Sequence, residues 1–200
     1  MGGLGYLIEG PINDRSTYIA SYRMSYLDII ADAINASGGM PSYNDFQAKL
    51  EFRPDIYNTF SLLIINGGSL YERDKNGAID VGETEYGKLK NNQLTIGINY
   101  KHIWNKRAYS NTSISNSIKE SDARFFNIYS DSTVFKIIEN SDVRSLRQVN
   151  HFKLGPESKM EIGFDVEINE TDYNYYRKLT KSSLFINEIQ FDRMVSSTNY

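Results

Sequence analysis

Between Lys159 and Ile168 the chain alternates without a break. Met160, Ile162, Phe164, Val166 and Ile168 fall on one side; Lys159, Glu161, Gly163, Asp165 and Glu167 fall on the other. A period of two sends successive side chains to opposite faces of an extended strand, so this segment is a ribbon with one apolar and one charged face. The pattern recurs at 45–53, where Phe46, Ala48, Leu50 and Phe52 oppose Asp45, Gln47, Lys49, Glu51 and Arg53. It recurs at 93–101, with Leu94, Ile96, Ile98 and Tyr100 against Gln93, Thr95, Gly97, Asn99 and Lys101. Near 17–26, Tyr18, Ala20, Tyr22, Met24 and Tyr26 oppose Ser21, Arg23 and Ser25. Segments 3–10, 56–66, 108–119 and 143–154 are weaker versions, which makes about eight strands, with a ninth over 185–194.

Composition supports an all-β reading. Asn and Ser number 19 and 21, and Tyr and Phe 15 and 10, so residues that favour turns and strands dominate. A length of 200 residues fits a single unit spanning 1–200. The net charge of -3 lacks the basic stripe of a nucleic-acid binder, so no nucleic-acid partner is expected. Zero cysteines exclude a disulfide scaffold, a thiolate metal site and a thiol nucleophile. The longest fully apolar run, Leu62-Leu63-Ile64-Ile65, is far too short for a membrane helix. Mean hydropathy is -0.48, which a membrane β-barrel tolerates because its strands are apolar on one face only.

The connections carry the next constraint. Short turns at 10–15, 53–56, 104–107 and 155–158 alternate with long connections at about 25–42, 67–92, 120–142 and 172–184. An antiparallel up-and-down sheet then has all its short turns on one rim and all its long loops on the other, as outer-membrane barrels do. Aromatics gather near the strand ends: Tyr6, Tyr18, Tyr22, Tyr26, Tyr43, Phe52, Tyr57, Trp104 and Tyr109. That resembles the girdles such barrels place at the headgroup level. A soluble β-sandwich or small barrel, acting as a binding or structural module, also alternates, with its apolar face inward. Alternation alone does not say which face is wet; loop asymmetry and aromatic placement favour the membrane barrel.

On that reading the charged faces line an aqueous interior. Arg23, Asp45, Lys49, Glu51, Lys101, Glu161, Asp165 and Glu167 are the expected lumen-facing residues. A Lys or Arg turned to lipid at mid-depth would cost about 2–4 kcal/mol, and that penalty assigns the faces.

Specific runs carry a family resemblance. Tyr6-Leu7-Ile8-Glu9-Gly10-Pro11-Ile12, followed by Ser16-Thr17-Tyr18-Ile19-Ala20-Ser21-Tyr22-Arg23-Met24-Ser25-Tyr26-Leu27-Asp28, resembles the first hairpin after the plug in TonB-dependent outer-membrane receptors. The Bacteroidetes-type members are the most similar. Pro41-Ser42-Tyr43-Asn44-Asp45-Phe46-Gln47-Ala48-Lys49-Leu50 resembles the strand that returns after it, and Ser197-Thr198-Asn199-Tyr200 the start of another. The resemblance implies an outer-membrane receptor of a Gram-negative bacterium, surrounded by outer-membrane lipid. It implies TonB-dependent uptake of a small nutrient ligand, and no enzymatic activity. Such barrels close at 22 strands around a plug, so the chain is expected to be a barrel fragment. The expected segment holds neither plug nor signal peptide, and plug and TonB would act through the missing part of the protein.

One motif suggests a metal. Residues 72–83 fit a twelve-residue calcium loop, with oxygens from Glu72, Asp74, Asn76, the Ala78 carbonyl, Asp80 and Glu83, and a turn at Gly77. Its first position is Glu rather than Asp, and its flanks do not read as helices; an ordinary acidic turn fits as well. No other cofactor is expected. His102 and His151 lack metal-ligand spacing and are expected at the rim or in the lumen. Leu27, Ile30, Ala31 and Ile34 share one side of a short helix stopped by Ser37-Gly38-Gly39.

Overall fold

Among the described residues nine antiparallel strands form one sheet in strict chain order, β1 to β9, each hydrogen-bonded to the next. They are β1 (Gly3–Asn13), β2 (Ser16–Ser25), β3 (Met40–Phe52), β4 (Asn58–Arg73), β5 (Glu85–Asn105), β6 (Ala108–Asn127), β7 (Thr133–Lys153), β8 (Lys159–Lys178) and β9 (Glu188–Asn199). A short helix, α1 (Lys75–Asp80), sits between β4 and β5. The structure is a computed structural model and describes residues 3–25, 39–178 and 188–199. The helix expected over 27–34 and the first part, 185–187, of the expected ninth strand lie outside the described residues; the described part of that strand runs 188–199, past the expected end at 194.

The tight turns are held by side chains that mimic backbone. Asn13 Oδ1 accepts the Arg15 N–H at 2.9 Å, and Asn105 Oδ1 accepts the Arg107 N–H at 2.8 Å. Asp55 Oδ1 accepts the N–H groups of Tyr57 and Asn58 at 2.7 and 2.9 Å. These are the local bonds for which Asn and Asp are favoured in turns.

Three of the long connections are shorter than their sequence suggests, and the one expected over 172–184 is strand as far as Lys178. The ladder continues to Arg73 on β4 and resumes at Glu85, so the connection is 74–84 rather than 67–92. Between β6 and β7 only 128–132 is unpaired, rather than 120–142. The extra strand length is polar on the belt side, where Lys88, Lys90 and Asn92 stand opposite Arg124, Asp122 and Glu120, and mixed on the other, where Gly87, Leu89 and Asn91 stand opposite Phe125, Ala123 and Ser121. Backbone ladders need no apolar partner, so strand persists where period-two hydrophobicity has ended.

Register decides the faces. Directly paired residues point to the same side of a sheet. Arg23 pairs with Asp45, Asp45 with Gly67, Gly67 with Gln93, Gln93 with Lys119, Lys119 with Ser141 and Ser141 with Thr171. The row continues along each strand at every second residue, so Lys49, Glu51, Lys101, Glu161, Asp165 and Glu167 share the face of Arg23 and Asp45. The opposite face carries Phe46, Leu50, Leu62, Ile96, Ile98, Ile114, Ile162 and Phe164.

No core seals this apolar face. Among the described residues the buried apolar side chains are Ala78, Ala123 and Ile128. Phe46, Leu50, Ile96, Ile162 and Phe164 are 38%, 40%, 43%, 56% and 54% exposed. A sandwich would press such a face against a second layer; among the described residues there is one sheet only.

The apolar belt also drifts. On β1 it is centred on Tyr6, whose row leads through Tyr22, Phe46, Asn66, Leu94, Ile118 and Asp142 to Glu170 on β8. On β8 the belt is instead centred on Phe164, six residues nearer the short turn. Six residues over seven strand steps is close to one per strand. With a rise of about 3.3 Å and a strand spacing of about 4.8 Å, that slope corresponds to a tilt of roughly 30–35°. A belt level with a flat surface therefore requires strands inclined as in a closed barrel.

Candidate functional site

The polar face of the sheet is the surface on which the expected lumen residues gather. All eight lie on it. Arg23 Nε donates to both Asp45 oxygens, at 3.1 and 3.0 Å. Lys49 Nζ reaches Glu51 at 3.3 Å, and Glu51 also pairs with Arg53. Asp165 stands opposite Arg147, and Glu167 opposite Ser145. Between these charges the face carries many hydroxyls and amides, with Leu63, Ile65, Val143 and Val149 interspersed among them. Ser115 meets Ser145 at 2.8 Å, Ser121 donates to Asn91 at 2.8 Å, Thr171 donates to Ser141 at 3.1 Å, and Thr95 bonds Ser117. These cross-strand pairs satisfy each other and leave a hydrophilic, water-compatible wall.

At the short-turn rim the same face carries a tighter cluster. Tyr109 stacks on His151 with ring centroids 4.3 Å apart, and His151 Nδ1 lies 2.9 Å from Glu161. Lys101 Nζ sits 4.7 Å from the centre of the Tyr109 ring. The sequence placed Lys101 and Glu161 on charged faces but gave no sign that they converge. Strands β5 to β8 bring them together through the row Ile103, Tyr109, His151, Glu161. His151 thus occupies the rim position expected of it.

The aromatic girdle is partly redrawn. Tyr6, Tyr18, Tyr22 and Phe52 lie on the apolar face, as a girdle requires. Tyr43 and Tyr109 lie on the polar face, because each shares the parity of a polar-face neighbour, Asp45 and Asn111. Tyr26 lies outside the described residues. Phe60 and Tyr100, absent from the expected set, stack at 4.6 Å on the apolar face. His102 continues that row, with Trp104 edge-on at 4.7 Å.

On the long-loop side, Asp74 Oδ1 accepts the Gly77 N–H at 2.7 Å and caps α1. Ala78 is fully buried, and its carbonyl accepts the Glu83 N–H at 2.9 Å. Glu83 lies 3.8 Å from Arg73, while Glu72 is on β4 opposite Lys88. The residues of the calcium motif therefore serve as a helix cap, a strand position and an ion-pair partner. Among the described residues no three His, Cys, Asp or Glu side chains gather as a metal site would need.

Two loops lock onto each other here. The Ile128 N–H donates to the Thr84 carbonyl at 3.0 Å. Asp131 accepts from Lys75 Nζ at 2.7 Å and from the Tyr86 hydroxyl at 2.9 Å. The Lys75 bond, then the Tyr86 bond, hold the Asp131 carboxyl below the usual aspartate range. At the opposite rim the Asn58 amide, then the Tyr57 N–H, do the same for Asp55.

Among the described residues the chain is an open antiparallel meander with one polar face, one exposed and drifting apolar belt and no sealed core, the fold of a β-barrel segment. No protein-family description matches the chain, and no curated protein does. Among solved structures it is similar to FpvA of P. aeruginosa, described in a complex with a heterologous pyoverdine and iron. The TM-score is 0.60 at 12% identity. The match covers 94% of this chain and 29% of that one, so the chain spans under a third of the receptor it resembles.

Proposed function

We propose that the chain forms part of the barrel wall of a TonB-dependent receptor in the outer membrane of a Gram-negative bacterium, and that the whole protein binds and imports a small nutrient. The observation that carries this reading is the segregation of faces. Every expected lumen charge is on one side, and an exposed apolar belt that needs tilted strands is on the other. The β8 belt, 160–168, extends about 26 Å along the strand, or about 22 Å across the membrane at that tilt, near the roughly 25 Å apolar band of such barrels. Strand β5, at 21 residues, is about 70 Å long, so its long-loop half stands clear of the lipid. The polar wall would meet solute and plug, and TonB would act through parts of the protein beyond this chain. The Bacteroidetes-type assignment rests on the first-hairpin residues alone, and the structural likeness to a receptor rather than an enzyme supports a non-catalytic role.

The test is site-directed spin labelling of the full-length protein in lipid vesicles, with single cysteines at Ile96, Gly97, Ile98 and Asn99. Labels at Ile96 and Ile98 should be relaxed by oxygen, which partitions into lipid. Those at Gly97 and Asn99 should favour a water-soluble nickel chelate or be shielded by the plug. Equal oxygen access at all four positions would remove the membrane reading and return the soluble β-module.

A further inference from the structure

We propose that the groove between the β5–β6 and β7–β8 turns binds a phosphoryl oxyanion. This goes beyond the receptor reading, since it concerns the rim opposite the long loops and does not depend on which solute the barrel imports.

The groove encloses about 400 Å³ on the polar face. Lys101, Lys106, Arg107, Lys153 and Lys159 line it against one acid, Glu161. Five of the chain's 22 basic side chains thus crowd one hollow of a protein whose net charge is -3. Among the described residues none of the five is within ion-pair distance of a carboxylate, and Glu161 is already engaged by His151 at 2.9 Å. Lys153 stands directly opposite Lys159 in the ladder, a like-charge pair that is unfavourable unless an anion lies between them. The Lys153 N–H donates to the Arg107 carbonyl at 2.7 Å, which fixes the β5–β6 turn against the end of β7 and sets the hollow's width. The Tyr109–His151 stack forms its wall, and Lys101 is held over that stack.

A concave, positively charged site raises the local concentration of anions. Five cations against one paired acid call for more than one negative charge, which a single carboxylate does not supply. A phosphoryl group offers up to two charges and three acceptor oxygens to Lys and Arg donors. The same chemistry could reach the rim as a free phosphate compound or as a phospholipid headgroup.

The probe is pyrophosphate, titrated calorimetrically into the full-length protein at low ionic strength in nanodiscs of zwitterionic lipid. Saturable binding at one site is expected, weakened about tenfold or more in K153Q/K159Q and unchanged in K88Q on the apolar face. Both lysines of the double variant are exposed, and circular dichroism confirms that its sheet is intact. The titration is repeated in phosphatidylglycerol nanodiscs. Weakened pyrophosphate binding there identifies the headgroup as the occupant, and unchanged binding identifies the free anion. No saturable heat with the wild-type protein, or equal affinity in K153Q/K159Q, overturns the proposal. Either result leaves the spin-label test of the receptor reading untouched.

Discussion

Lys75 and Asp131, 56 residues apart, meet at 2.7 Å across the two loops that join β4 to β5 and β6 to β7. Asp131 holds a positive φ of 50°, a conformation that Asp and Asn tolerate better than most residues. That backbone turn aims its carboxylate at Lys75 and Tyr86 together. Ile128 is buried in the same pair of loops, so the loops behave as one cap.

The cap should loosen in acid. A carboxylate whose folded pKa is depressed contributes stability that is complete above its unfolded value, near 3.9, and is lost as pH falls through the folded one. Pepsin digestion of the full-length protein should therefore cut within 128–132 progressively faster below about pH 4. In Asp131→Asn, which keeps the turn but not the charge, the added acid sensitivity should vanish. An unchanged pH profile in that variant would show that Asp131 does not hold the loops.

Charge on the apolar face should be costly, and on the polar face cheap. Ile98→Lys and Ile162→Lys should each destabilise the barrel in lipid by about 2–4 kcal/mol if their positions are near mid-depth. Ser145→Lys, on the opposite face, should change stability by well under half of that. Denaturant titration in vesicles measures the difference; equal costs on both faces would contradict the assignment.

Gly87 should resist substitution. It lies within β5 at φ 155°, and a Cβ there would collide with the Arg124 carbonyl across the ladder. Gly87→Ala should cost about 1–3 kcal/mol of strain and weaken the β5–β6 pairing at its long-loop end. Hydrogen exchange of the amides at 122–127 is the readout, and wild-type protection in the variant would refute the prediction.

Expressed alone, residues 1–200 should aggregate in water. The described sheet ends in two edge strands, β1 and β9, and bears an uncovered apolar belt. Size-exclusion chromatography without detergent should give void-volume material; a monodisperse monomer would argue for the soluble alternative.

Particular residues show how far the sequence carried. The faces of β3, β5 and β8 were legible because each strand alternates through several apolar residues, as Met160 to Ile168 does. The upper halves of β5 to β7 were not, because Lys88, Asp122 and Lys136 sit in ladders with no apolar period to mark them. Tyr43 and Tyr109 were read as girdle residues on their nearness to strand ends, whereas face is set by parity and register. The rim cluster was equally hidden: Lys101, Tyr109, His151 and Glu161 come from four strands, and no local pattern links them.

Alternation by itself determined that the chain makes two-faced antiparallel strands and that the charges of its alternating segments share one side, because side-chain direction along a strand follows from backbone geometry alone. Only the tertiary structure decided how the strands are offset, which loops interlock and where the basic groove forms. Those depend on cross-strand register, and register is a relation between segments that no single segment contains.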